Sequence, residues 1–68
     1  MKNKTTNIHI FRAMYGLTQD ELAKKMSRSR QSISMIESGE TVAGVKLALK
    51  LATFFRTSVE TLFKINNK

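Results

Sequence analysis

The chain has no cysteine, no proline and no tryptophan in its 68 residues, a single histidine, and only five acidic side chains. Without cysteine, neither a disulfide framework nor thiolate metal ligation is available, and an intracellular setting is expected. With one histidine, no nucleophile–histidine pair and no metal cluster can be drawn. His9 therefore reads as a surface residue, and no catalysis, metal, cofactor or small-molecule ligand is expected. No apolar run approaches the roughly 18 residues of a membrane span. The basic start Met-Lys-Asn-Lys-Thr-Thr is followed by no continuous apolar signal core, so export is not expected. Alternating β-branched runs are missing too, as are repeats and linkers, which leaves an all-helical reading from periodicity.

What is present is positive charge. Twelve Lys and Arg against five Asp and Glu give a formal net charge of +7 and a sequence pI near 10.3. Such an excess favours a polyanion, either nucleic acid or an anionic membrane surface. The charge is also uneven, for Leu22 to Ile36 carries Lys24, Lys25, Arg28 and Arg30 and no acid. The length allows one small domain over residues 1–68, with its core at about 7–65, near the lower limit for a fold without disulfides or metal.

Five helical segments emerge. The first is expected from Asn7 to Tyr15, with Ile8, Phe11 and Tyr15 on one face and Gly16 as a left-handed terminator. Thr18-Gln19-Asp20-Glu21 has the form of a capping box opening a second helix, which turns Leu22, Ala23 and Met26 inward. Ser27-Arg28 make a turn, Ser29 caps a third helix, and Gly39 closes it. A fourth helix is expected over Ala43 to Phe55, with Val45, Leu49, Ala52 and Phe55 on one side. A fifth begins near Ser58 and packs Val59, Leu62 and Phe63.

On a wheel of about 100° per residue, Arg30, Ser34, Ser38, Gln31 and Met35 fall within an arc of roughly 140°, opposite Ile33 and Ile36. That face suits the reading of base edges in duplex DNA. Arginine can give two parallel hydrogen bonds to guanine, glutamine can pair with adenine, and Met35 can pack on a thymine methyl. Ser29 and Ser32, and the free amides beside Gln19, suit phosphate. The competing reading is a solvated face that merely keeps the helix soluble; the capped helix before it, the short turn and the basic excess weigh against that.

Gly16-Leu17-Thr18-Gln19-Asp20-Glu21-Leu22-Ala23, then Ser29-Arg30-Gln31-Ser32-Ile33 and Ile36-Glu37-Ser38-Gly39, resembles the Cro and phage-repressor type of helix-turn-helix family, also called Xre-like. Leu47 to Ala52 and Ser58 to Phe63 are similar to that family's fourth and fifth helices, so the likeness covers about residues 8–63. It implies a compact five-helix, repressor-like, all-α domain with the helix-turn-helix in helices 2 and 3. By position it implies Arg30, Gln31 and Met35 as base readers, Ser29, Ser32 and Ser34 at flanking contacts, Gln19 on a phosphate, and a structural Arg12–Glu37 ion pair; Ser34 is counted with the base readers for its place on the wheel. Arg28 is added as a phosphate contact from its charge in the turn, and Lys24 as another. The family usually has glycine and a small apolar residue in the turn, where this chain has Ser27-Arg28, so either Ser27 is left-handed at some cost or the helix ends differently. A basic residue and proline often precede the fourth helix. Glu40 and Ala43-Gly44 stand there instead, which removes the usual support for a phosphate contact in that loop.

The expectation is a cytoplasmic DNA-binding transcriptional regulator, bacterial or phage-encoded, acting as a repressor and homodimer on a two-fold-related operator, without membrane association. Leu51, Phe54 and Ile65 are its candidate dimer contacts, while Ile10 and Met14 also lie off the core face. Two rivals remain. One is the same fold used as a protein-interaction module, an antitoxin-like or polymerase-contacting partner; the other is a cationic membrane-surface peptide, helical only with anionic lipid.

Overall fold

The computed structural model describes residues 6–64. Among the described residues there are five helices and no strand: α1 (Ile8–Met14), α2 (Gln19–Met26), α3 (Arg30–Ser38), α4 (Val45–Phe54) and α5 (Val59–Phe63). Each helix sends one large aliphatic side chain to full burial. Ile8, Leu22, Ile33, Leu51 and Leu62, one per helix, are exposed by 1% or less. That shared centre fixes the relative placement of elements too short to be stable alone in water.

Local chemistry sets the helix ends. Thr18 Oγ1 accepts from the Glu21 N–H at 3.1 Å, and Glu21 Oε1 accepts from the Thr18 N–H at 2.9 Å, completing the expected capping box. Ser29 and Ser58 cap α3 and α5 by accepting from the N–H of Ser32 and Thr61. Gly16 (φ 67°) and Gly39 (φ 84°) end their helices in the left-handed region, where glycine bears no Cβ penalty. Ser27 does the same at φ 59° without being glycine, and Arg56 at φ 56° follows α4; each holds a conformation that costs an L-residue about 1 kcal/mol. Asn7 makes no side-chain cap for α1. The neighbouring Thr6 serves instead: its Oγ1 accepts from the Ile8 N–H at 3.1 Å and donates to the Glu37 carbonyl at 3.2 Å. Asn7 binds outward, its N–H to Leu62 O at 2.9 Å and its Nδ2 to Thr61 O at 2.8 Å, tying α1 to α5.

Helix α4 departs from the sequence expectation. It starts at Val45 rather than Ala43, and Val45 and Leu49 stand 77% and 55% exposed, while Leu47, Leu51, Ala52 and Phe55 are buried. Lys46, Lys50 and Thr53 share one side of the helix and the buried residues lie opposite them, packed against α2 and α5, so the polar stripe marks the inner side and the expected Val45–Leu49 side lies on its flank. Leu51 is consequently a core residue at 0% exposure and not a dimer contact. Phe54 is half-buried: its ring centroid lies 5.0 Å from that of Phe55 and 5.8 Å from that of Tyr15, in a cluster whose Tyr15 hydroxyl donates to Phe55 O at 3.2 Å. Ile65 lies outside the described residues.

Candidate nucleic-acid interface

Helix α3 is anchored by Ile33 and Ile36, both buried, against α2. Its other side carries Arg30, Gln31 and Ser38 exposed and Ser34 and Met35 half-exposed. The Ser38 hydroxyl donates back to Met35 O at 3.1 Å, and none of the five acidic residues lies on this side except Glu37, which turns inward. Arg30 and Gln31 form no side-chain hydrogen bond or ion pair within the described residues, so their donors and acceptors are free for an outside partner.

The inner end of α3 is locked by Glu37. Its carboxylate is buried and takes three donors: Arg12 Nε on Oε2 at 2.7 Å, Arg12 Nη2 on Oε1 at 3.3 Å, and Gln19 Nε2 on Oε1 at 3.0 Å. Arg12 Nη1 also donates to Leu17 O at 3.0 Å. One carboxylate therefore joins α1, the α1–α2 turn and the first residue of α2 to the last turn of α3. No buried side-chain nitrogen or oxygen among the described residues is left without a partner. The fork geometry of arginine and two accepting oxygens fix orientation as well as distance. The arrangement holds α3 at one tilt against α2, which a rigid docking element requires.

The remaining sequence candidates divide. Gln19 spends one amide N–H on Glu37, so only the other remains for a phosphate. Ser29 and Ser32 lie side by side at the start of α3, with Oγ atoms 3.1 Å apart, and Arg28 is exposed in the preceding turn. Lys24 is not brought to this group: it sits 3.9 Å from Asp20 along α2, beside Leu17, Glu21 and Lys25. The local motif also missed residues supplied by distant segments. Lys46 and Lys50 of α4 join Lys25 and Arg28 around an open groove of about 760 Å³. His9 of α1 shares a notch with Gln19 and Ser34. Neither could be found without knowing how α1 and α4 pack on the helix-turn-helix.

A basic chain whose second and third helices form a capped, tightly turned pair with a polar outer face is a helix-turn-helix protein. The helix-turn-helix family profile matches residues 8–65, and the chain belongs to that family, of the Cro and phage-repressor type. It is similar to an uncharacterized HTH-type transcriptional regulator of Methanocaldococcus jannaschii, with 46% identity over 63 residues, covering 93% of this chain and 91% of the relative. A counterpart in Archaeoglobus fulgidus is 45% identical over 58 residues, 85% of this chain and 83% of its own length. The Bacillus subtilis regulator YgzD is 35% identical over 63 residues, again 93% and 91% of the two chains.

Proposed function

We propose that this protein is a sequence-specific, double-stranded DNA-binding transcriptional regulator that sets α3 in the major groove and works as a homodimeric repressor. The observation that carries the reading is the outer side of α3, with Arg30 and Gln31 unpartnered among the described residues, Ser34 and Met35 beside them, and the helix held rigidly from behind by Glu37. Arg30 and Gln31 read base edges. Arg28, Ser29 and Ser32 meet phosphate, with Lys46 and Lys50 adding to the cationic field. The family and the names of its relatives support DNA as the partner. Pairing two copies brings two half-sites about one helical turn, roughly 34 Å, apart. The exposed apolar residues on α4, Val45 and Leu49, are the contacts offered for it in place of Leu51.

The test is selection of bound duplexes from a random pool, followed by anisotropy titrations on the selected site and on a scrambled duplex. Gln31→Ala should relax preference at one base position and cost on the order of 1–3 kcal/mol on the selected site only. Equal losses on both duplexes would remove the base-reading role. Enrichment of no sequence at all would favour a protein-interaction module on this fold.

A further inference from the structure

The notch beside α3, about 250 Å³, is lined by His9, Gln19, Ser34, Glu37 and Ser38. It opens along the side of α3 assigned to DNA, and it is where α1 reaches that side. Its chemistry is one-sided. Ser34 offers a hydroxyl, Gln19 keeps one amide N–H, and His9 is exposed with an imidazole whose nitrogens can both donate when protonated, while the Ser38 hydroxyl proton is taken by Met35 O. The one anion in the wall, Glu37, is already engaged by Arg12 from α1 and Gln19 from α2, so its charge is balanced from behind. Among the described residues Glu37 is the one charged group in the wall besides His9, with Arg12 bound to its carboxylate, and the α2 residue there, Gln19, is neutral. A recess of donors flanked by a balanced ion pair, at the edge of a duplex-facing helix, fits a phosphodiester oxygen.

We infer that His9 is a DNA-backbone contact, placing α1 in the interface and making duplex affinity depend on the protonation of one imidazole. This rests on the DNA-binding reading. A phosphate held against the imidazole favours its charged form, so the complex binds more protons than the free components. By linkage the added affinity is present when the imidazole is protonated and is lost as rising pH removes that proton. The chain suits such a measurement because His9 is its only histidine and it has no cysteine. A backbone contact is sequence-independent, so an arbitrary duplex of mixed sequence is an adequate probe.

The experiment is a set of anisotropy titrations of a labelled 24-base-pair mixed-sequence duplex, at fixed ionic strength, between pH 5.5 and 7.5. The wild type should bind about two- to fivefold more tightly at the lower pH, the range of an exposed ion pair. His9→Gln should show little of that dependence, and His9→Arg should bind tightly at both ends. Circular dichroism of each variant checks that it remains folded, which an exposed α1 position should permit. A His9→Gln response as steep as that of the wild type overturns this inference and leaves the functional reading intact. Failure of the wild type to bind the duplex at any pH overturns both.

Discussion

Removing Arg12 strands a buried carboxylate, and the size of the resulting destabilisation can be worked out from the geometry around Glu37. The Glu37 side chain is 7% exposed and that of Arg12 is 21% exposed. Arg12→Met deletes two of three donors to Glu37 and also the bond to Leu17 O. Breaking a fully buried pair costs about 3–5 kcal/mol. Partial access of water to the arginine side lowers that to about 2–4 kcal/mol. Glu37→Gln is milder, because Oε1 can still accept from Gln19 and the freed guanidinium reaches water, so about 1–2 kcal/mol is expected. The double variant Arg12→Met/Glu37→Leu leaves no stranded charge and should be less destabilised than Arg12→Met alone, despite carrying two substitutions. Urea unfolding followed by circular dichroism gives all three values, and each kcal/mol corresponds to roughly 4–8 °C in Tm for a domain of this size. A double variant no more stable than Arg12→Met alone, or an Arg12→Met cost below about 0.5 kcal/mol, would refute the account of Glu37 as the clamp on α3.

Leu51→Ala should cost about 2–5 kcal/mol in the same assay, because its side chain has no exposure and leaves a cavity. Leu49→Glu should stay folded while shifting sedimentation from dimer toward monomer, and a loss of structure there would contradict its exposed placement. Ser27→Gly and Arg56→Gly each relieve a left-handed residue, at φ 59° and 56°, and should raise stability by about 0.5–1 kcal/mol net of the unfolded-state entropy of glycine. A fall in Tm for both would mean that these two side chains make contributions larger than the backbone strain they impose.

The helix ends were legible along the chain because their causes are local. The Thr18–Glu21 box, the Ser29 cap and the glycine terminators act within three or four residues, and all stand where the spacing put them. The missing glycine at Ser27 left two outcomes open, a left-handed serine or a different helix end, and the structure has the first. The inner side of α3 was equally clear, since Ile33 and Ile36 are the only large aliphatic residues in that helix. Helix α4 was legible from its polar side rather than its apolar one: Lys46, Lys50 and Thr53 share one side and mark Leu47, Leu51 and Phe55 as inward, whereas Val45 and Leu49, which their aliphatic spacing assigns to the core, stand at the surface. The resemblance implied the Arg12–Glu37 pair, but the third donor from Gln19 and the bonding of Thr6 to the Glu37 carbonyl depend on how α1 and α2 lean on α3.

The sequence by itself determined five short helices, their caps and a turn that sets a polar, acid-poor face on the third, because each of these follows from neighbours a few bonds away. Only the tertiary structure decided how one carboxylate gathers α1 and α2 behind α3, that Lys46 and Lys50 of α4 stand with Arg28 around one groove, and that His9 stands at the rim of the α3 face. Those outcomes depend on contacts between segments tens of residues apart, where several packings satisfy the same pattern and the choice among them falls to shape and to the pairing of buried polar groups.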